Sequence, residues 1–315
     1  KYTVHVKAKN IYGDESIEAT YSFESRPPWY RTILAFILYF ILAVCLVWGI
    51  VKWNTLRLIA EKERLEQIVR ERTAEVFAQK EEIEQQKEKI AAQNEEITSS
   101  IQYASRIQTA LLTPTDQINR IFPENFILYL PRDIVSGDFY YITQAGKLKV
   151  SVVADCTGHG VPGGFMSMLG ISFLTQIIGT KTDLKANEVL NELRNLVITA
   201  LHQTGEIGGS KDGMDIAIYI IDEETQTLQF AGANNPLILI RNNELTHIKG
   251  DKMPIGIHLR GELSFTNNVI QIQKGDVIYT FSDGYVDQFG GEDGRKFMIK
   301  HFKELLLEIH HKPMS

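Results

Sequence analysis

Cysteine is scarce in this chain, with two among 315 residues, which excludes a fold held together by several disulfide bonds. Cys45 lies in a long apolar run and Cys156 in a glycine-rich segment, so the two have no plausible pairing. Basic residues are outnumbered, with 33 Lys and Arg against 39 Asp and Glu and a net charge of −6. This balance argues against a nucleic-acid partner.

Charge is absent from the run between Ile33 and Val51. Aromatic and basic residues flank this run on both sides, namely Trp29, Tyr30 and Arg31 before it and Lys52 and Trp53 after it. A charge-free run of this length with such flanks predicts one transmembrane helix at residues 31–53. A buried core helix or a signal peptide would also be apolar, but strand-like sequence precedes the run and no small-residue cleavage site follows it.

Basic residues near the apolar run lie mostly on its C-terminal side. That side carries Lys52, Arg57, Lys62, Arg64, Arg70 and Arg72, and the N-terminal side carries Arg26 and Arg31. Because basic flanks remain in the cytoplasm, the C-terminal part is predicted to be cytoplasmic and residues 1–28 to be extracytoplasmic.

Residues 1–28 have the alternation of a β-hairpin. Tyr2, Val4 and Val6 alternate with polar residues, which predicts a half-buried strand, and Tyr21 to Phe23 begins or ends another. Two strands alone do not make a stable domain. The pattern YTVHVKAKNIYG resembles the closing strands of the Tyr-rich β-sandwich that follows β-propellers in bacterial sensors. The resemblance implies that residues 1–28 are the end of an extracytoplasmic sensor domain.

Glycine and proline are absent from residues 54–112, so this segment is predicted to be helical. Apolar residues recur at seven-residue spacing with one four-residue step, at Leu58, Leu65, Val69, Val76, Ile83, Ile90 and Ile97. The second position of this seam is polar. We therefore predict a weak coiled coil that joins two subunits as a parallel homodimer and can shift register. The alternative is a solvated helix with no partner.

In residues 113–315, acidic residues stand at the ends of three predicted strands. Asp155 follows an apolar strand, Asp138 precedes an aromatic one, and Asp283 follows the strand at residues 277–281. Each Asp–Gly pair alone commonly marks only a turn. Two carboxylates 4 Å apart repel by about 4 kcal/mol at an effective dielectric of 20, so a folded cluster needs a cation. We hypothesise a binuclear site for magnesium or manganese, which prefer oxygen ligands.

Five motifs carry a resemblance to a known family. In chain order they are PRDIVSGDFYY, DCTGHGVPGGFMSM, GANNPLILI, the turn Met253 to Gly256, and FSDGYVD. They are similar in type and order to stage II sporulation protein E-like (SpoIIE-like, RsbU-type) serine phosphatases, the bacterial branch of the metal-dependent type 2C protein phosphatases. The resemblance implies an α+β fold, a four-layer α-β-β-α sandwich, at residues 113–315. Together with the transmembrane helix predicted at residues 31–53, this bacterial resemblance predicts a protein that spans the bacterial inner (cytoplasmic) membrane once.

The same resemblance implies roles for individual residues. Asp155 would bridge two Mn²⁺ or Mg²⁺ ions, the backbone carbonyl of Cys156 would hold one of them, and Asp283 would bind the other. Asp138 would act through a water bound to metal. The implied substrate is a protein phosphorylated on serine or threonine, such as an anti-sigma-factor antagonist.

Other polar residues have weaker claims. His159 is a candidate proton donor to the leaving alkoxide, because histidine titrates near neutrality, or it is a structural turn residue. Asp215 either reaches the metal cluster or merely starts a strand. Asn234 and Asn235 are predicted to form a turn, and the glycine-rich segment at residues 290–294 a mobile loop.

One departure from the family pattern leaves a second functional class open. Family members carry a further Asp-Asp pair near the C-terminus, and none follows Asp283 and Asp287 here. We therefore expect the chain to be an internal fragment, truncated at its C-terminus; the alternative is a catalytically inactive interaction domain. A sensor histidine kinase has similar membrane and coil architecture, but it needs a phosphoacceptor histidine between Thr98 and Leu112, where none occurs.

Overall fold

The computed structural model describes residues 1–26, 28–181, 183–206, 208–258, 263–291 and 294–314. The chain divides into two compact units, residues 1–90 and residues 91–315. Each unit is described by itself. Glu292 and Asp293, in the segment predicted to be a mobile loop, lie outside the described residues.

The first unit begins with an antiparallel hairpin of β1 (Tyr2–Val6) and β2 (Ala19–Phe23), which pairs Tyr2 with Phe23. A 3₁₀ turn at Trp29–Arg31 follows. The alternation predicts half-buried strands, whereas every residue of both strands is exposed. The reason is that a two-stranded sheet is a single layer, and in the described part of this unit no second layer covers either face.

A single long helix, α1 (Ile33–Leu111), begins in the first unit and ends in the second. It contains both the charge-free run and the segment without glycine or proline. The seam residues Val76, Ile83 and Ile90 are each more than half exposed. A coiled coil needs a second chain, so its formation stays a prediction.

Among the described residues, two helices have the length and composition to cross a membrane. A window of the first helix has a mean hydropathy of 2.8 and is 6% buried. The other, Val161–Thr180, has a mean hydropathy of 1.4 and is 50% buried. The second is a core helix of the second unit, because Leu174 and Ile177 are fully buried in it. The first is compatible with a single membrane span.

The second unit contains ten strands and five further helices. In chain order they are α2 (Thr115–Ile121), β3 (Phe139–Ala145), β4 (Leu148–Cys156), α3 (Val161–Thr180), α4 (Ala186–Ala200), β5 (Met214–Asp222), β6 (Thr227–Ala233), β7 (Leu237–Arg241), β8 (Glu244–Ile248), β9 (Asn268–Gln271), β10 (Val277–Thr280), α5 (Asp283–Val286), β11 (Phe289–Gly290), β12 (Arg295–Lys296) and α6 (Met298–Ile309), as far as the structure describes it.

These strands form two main antiparallel sheets and a short hairpin. One sheet has the order β3-β4-β5-β6-β9 and the other the order β10-β7-β8, while β11 pairs with β12. Both main sheets are antiparallel, and α3, α4 and α6 pack against their faces, so the class is α+β, as the sequence predicts.

The two faces of β5 contact different layers, because successive side chains of a strand point to opposite sides. Ile216 and Ile218 belong to a buried cluster that includes residues of α3 and α4. Ala217 belongs to another cluster, together with Leu237 and Leu239 of β7. The opposite face of β7 packs with α6 through Ile238, Ile240, Phe302 and Leu306.

The register of the first sheet brings the predicted acidic strand ends to one edge. Phe139 pairs with Ala154, so Asp138 and Asp155 lie side by side where β3 begins and β4 ends. Asp155 itself pairs with Asp215 on β5. The strand predicted to end at residue 281 ends at Thr280, and Asp283 begins the short helix α5.

Candidate functional site

Three aspartates from distant motifs meet at this edge of the sheet. The Asp155 carboxyl group is hydrogen bonded to the carboxyl groups of Asp138 and Asp283. Burial, and then the charge and hydrogen bond of Asp138 followed by those of Asp283, raise the pKa of Asp155 to about 8. At neutral pH the Asp155 carboxyl group therefore retains a proton, because ionising it would place three carboxylates together in a desolvated site.

The Asp138 carboxylate is held by a residue of the Asp283 motif. The Ser282 hydroxyl donates a hydrogen bond of 2.7 Å to Asp138 Oδ2. The Tyr129 hydroxyl donates to the Asp138 backbone oxygen at 3.2 Å. Burial raises the pKa of Tyr129, so its hydroxyl remains a donor. Ser282 thus connects the loop before β3 to the start of α5.

Glycines bring three backbone segments close together beside Asp155. A Cβ atom on Gly137 would lie 2.9 Å from the Gly158 oxygen and 3.1 Å from the Cys156 oxygen. A Cβ on Gly163 would lie 2.5 Å from the Gly158 oxygen. Only glycine allows this approach, which packs the Cys156 backbone carbonyl against the loop that carries Asp138.

The Cys156 side chain is not a metal donor in this arrangement. It is buried, and burial, followed by the charge of Asp155, raises the pKa of its thiol far above its usual range. The thiol therefore stays protonated, whereas a metal ligand must be the thiolate. Only the backbone carbonyl of Cys156 can offer an electron pair to a hard cation.

The donors at this edge fit magnesium or manganese by type, because all of them are carboxylate or carbonyl oxygens. Within the described ranges, no group of three or more His, Cys, Asp and Glu side chains has the spacing of a metal site. The carboxyl contacts run from Asp155 to Asp138 and from Asp155 to Asp283. A proton on Asp155 or a bound cation would each neutralise part of the negative charge on these oxygens.

Asp215 lies next to this group and is held by Asn234. The Asn234 side-chain amide donates to Asp215 Oδ1 at 2.8 Å. Burial raises the pKa of Asp215, the Asn234 bond lowers it, and the charge of Asp283 raises it. Asp215 therefore belongs to strand β5 and lies close enough to Asp283 to feel its charge, while contact of Asp215 with a bound metal stays a prediction.

The GANNP segment forms a turn, as its composition predicts, but the turn also supports the site. Asn234 has a φ of 57°, and its backbone N–H donates to the Asp251 oxygen at 2.8 Å. Asn235 is buried. The sequence signal for a turn was correct, whereas the bond from Asn234 to Asp215 had no signal in the chain.

His159 lies in the glycine-rich turn between β4 and α3, with its side chain 77% exposed. Its Nδ1 atom is 3.3 Å from Asp133 Oδ2. This contact orients the ring toward the loop before β3. The role of His159 as proton donor stays a prediction.

Residues 146–315 match the family described as Stage II sporulation protein E (SpoIIE). The chain is similar to the SiaA-PP2C domain of Pseudomonas aeruginosa, at 31% identity over 71% of this chain and 87% of that chain, with a TM-score of 0.63.

Two further solved structures match over shorter parts. One is the PP2C phosphatase domain with a fragment of the regulatory domain of SpoIIE from Bacillus subtilis, at 21% identity over 49% of this chain and 43% of that chain, with a TM-score of 0.41. The other contains the RsbU and RsbW domains of a Mycobacterium tuberculosis protein, at 20% identity over 56% and 46%, with a TM-score of 0.45. Comparison with curated proteins gave no match.

Proposed function

This chain belongs to the SpoIIE family of PP2C-type phosphatase domains, and on that premise we propose that it is a membrane-anchored, metal-dependent serine/threonine protein phosphatase of bacterial signal transduction. The family resemblance carried by the five sequence motifs is confirmed. The resemblance of residues 1–28 to a Tyr-rich sandwich stays a prediction.

One observation carries the proposal, namely the contact of Asp155 with both Asp138 and Asp283 and the pKa of about 8 that results. A sheet edge that concentrates carboxyl groups loses stability unless a proton or a cation neutralises them. Cation binding explains the arrangement.

Each residue of the site has a role that we assign from its position. We assign Asp155, Asp283 and the Cys156 carbonyl to holding two Mn²⁺ or Mg²⁺ ions. When bound, such ions lower the pKa of a water molecule and neutralise the phosphoryl oxygens during in-line attack. Asp138, held by Ser282, orients the attacking water. His159 is the candidate donor of a proton to the leaving serine or threonine oxygen.

The overall architecture in this proposal is the four-layer α-β-β-α sandwich of the family. Support comes from the three buried clusters, which join α3 and α4 to the first sheet, the first sheet to the second, and the second sheet to α6. The substrate is a phosphoserine or phosphothreonine protein, such as a phosphorylated anti-sigma-factor antagonist.

The membrane part of the proposal depends on α1. We place residues 31–53 across the bacterial inner membrane, residues 1–28 outside the cytoplasm and the phosphatase inside. The apolar character and exposure of this part of the helix support the span. The exposed seam supports a parallel homodimer, since a second copy would cover Val76, Ile83 and Ile90.

The test is phosphate release from a phosphoserine peptide by the full chain in detergent or nanodiscs. We expect turnover with Mn²⁺ or Mg²⁺, loss of turnover in EDTA, and recovery when the cation is restored. Absence of turnover with either cation, from a folded protein that still binds Mn²⁺, would favour the inactive interaction domain.

A further inference from the structure

Gln108, in the last turn of α1, is a polar side chain that is almost completely buried, with 4% of its surface exposed. Its Nε2 donates to the Ser136 backbone oxygen and to the Ser167 hydroxyl, each at 2.6 Å. Its Oε1 accepts from the Ser136 backbone N–H at 3.0 Å. Both ends of the amide are therefore used, as a buried amide requires.

The Ser136 backbone precedes Asp138 by two residues, and the chain between them has little freedom. Gly137 packs against the Cys156 and Gly158 carbonyl oxygens. Val135 is buried, and a Cβ on Gly164 would lie 3.1 Å from its Cβ. Because Val135 and Gly137 are both closely packed, the loop has little room to shift. The position of the Ser136 backbone therefore determines the position of Asp138.

The second partner of Gln108 lies on the helix that follows Asp155. The Ser167 hydroxyl accepts from Gln108 and donates to the Gly164 oxygen at 2.8 Å, in the first part of α3. One amide thus joins the loop before Asp138 to the helix after Asp155. These are the two segments whose carboxyl groups meet in the site.

We propose that Gln108 is a positioning residue for the site: by fixing the Ser136 backbone it holds Asp138 where it meets Asp155 and, on the proposed function, where it serves the bound cations. It touches neither substrate nor cation. Its effect is transmitted through the loop, so its loss weakens cation binding and turnover but leaves peptide binding unchanged.

Thr113 provides a matched control. Its buried side chain also follows α1 and also makes a pair of bonds to the backbone of one residue, donating to the Ile142 oxygen and accepting from the Ile142 N–H, each at 2.9 Å. Ile142 lies in the interior of β3, away from Asp138. Gln108→Met removes the two bonds to Ser136 together with the bond to Ser167, and Thr113→Val removes the two bonds to Ile142, each with little change in side-chain volume.

The experiment measures the Kd for Mn²⁺ by calorimetry, the thermal midpoint, and kcat and KM for a phosphoserine peptide, all with the full chain. We expect both variants to lower the midpoint. Only Gln108→Met should raise the Kd for Mn²⁺ and lower kcat, each by about 10-fold, with KM unchanged, since residues behind metal ligands typically contribute 10- to 100-fold. Wild-type Kd and kcat in Gln108→Met, or equal changes in Thr113→Val, would overturn the proposal.

If Gln108→Met does not fold, Ser167→Ala gives the same test, because it removes one of the three bonds and leaves a small buried side chain. It should raise the Kd for Mn²⁺ about 2- to 3-fold, and an unchanged Kd would overturn the proposal. The proposed function has a separate test, because absence of turnover in the wild type would contradict it. In that case the Mn²⁺ affinities of the variants would still test the role of Gln108. A wild type that binds no Mn²⁺ would overturn both.

Discussion

The two compact units of this chain differ in how far their apolar side chains are exposed. In residues 1–90, Val69, Val76 and Ile83 are each more than half exposed, although they recur at regular spacing along one helix. In residues 91–315, Val150 and Val152 have no exposed surface, because strands and helices of the same unit cover them. The first unit therefore has an apolar pattern that only lipid or a second chain can bury.

The two units also differ in how far their charged side chains are buried. The acidic and basic residues of α1 are solvated, whereas the second unit brings Asp155 together with Asp138 and Asp283 in a partly buried edge. A few desolvated groups have large individual effects, while a repetitive exposed pattern spreads its effect over many positions. Single substitutions should thus matter most in the second unit, and changes of helix length in the first.

The largest effect is expected from removing one charge of the cluster. Asp155→Asn and Asp283→Asn should each lower kcat/KM with Mn²⁺ by more than about 100-fold, because residues behind metal ligands alone contribute 10- to 100-fold. Both variants should fold, since the neutral amide relieves carboxylate repulsion. Phosphate release from a phosphopeptide measures the loss.

Asp287→Asn is the control, because Asp287 follows closely in the chain but pairs with Lys296 at 2.8 Å on an exposed surface. Its turnover should stay within about 2-fold of wild type, as expected for an exposed pair. Wild-type turnover in Asp155→Asn would refute the assignment of the site.

A smaller effect is expected from the hydroxyl that holds Asp138. Ser282→Ala should lower kcat by about 10-fold with little change in KM, because Asp138 loses its 2.7 Å hydrogen bond and its orientation. Steady-state kinetics separate the two constants. Ser210→Ala removes a similar serine-to-aspartate bond, to Asp212 at 2.8 Å, and should leave kcat unchanged. Equal losses in the two variants would contradict a specific role for Ser282.

The first unit should respond to length rather than to single substitutions. Deleting the heptad Glu84–Ile90 keeps the seam in phase, whereas deleting the four residues Glu84–Lys87 rotates all that follows by about 50° at 3.5 residues per turn. We expect the four-residue deletion to lock turnover at a high or low level, several-fold from wild type in membrane preparations, and the heptad deletion to retain wild-type turnover. Identical turnover in the two deletion variants would show that the helix only connects the two units and that its phase does not affect the phosphatase.

The smallest effect concerns stability against pH without cations. The pKa of Asp155 is about 8 in the folded chain and about 3.9 when unfolded, so folding favours its protonated form. Its stabilising contribution is complete below about pH 4 and is lost as pH rises through 8. The thermal midpoint of Asp155→Asn should therefore exceed that of wild type by an amount that grows from pH 5 to pH 8.5. A constant difference across this range, measured in EDTA, would contradict the raised pKa.

Much of the fold follows from local pattern. The helix predicted at residues 54–112 is observed up to Leu111, and the strand predicted at residues 277–281 is observed at Val277–Thr280, because such local patterns depend on neighbouring residues. The burial of β1 was predicted wrongly. Alternation shows only that one face of a strand is apolar, and among the described residues of the first unit no second layer covers that face.

The sequence by itself determined the family, the order of the motifs and the strand ends that carry Asp138, Asp155 and Asp283, because strands, turns and motifs depend on residues close together in the chain. Only the tertiary structure decided which groups touch. Ser282 reaches Asp138 across 144 positions, and Gln108 reaches Ser136 across 28. A serine or a glutamine has no periodicity that marks such a bond. Sheet register and buried packing select these partners, since an amide or hydroxyl removed from water must find one wherever the fold places it.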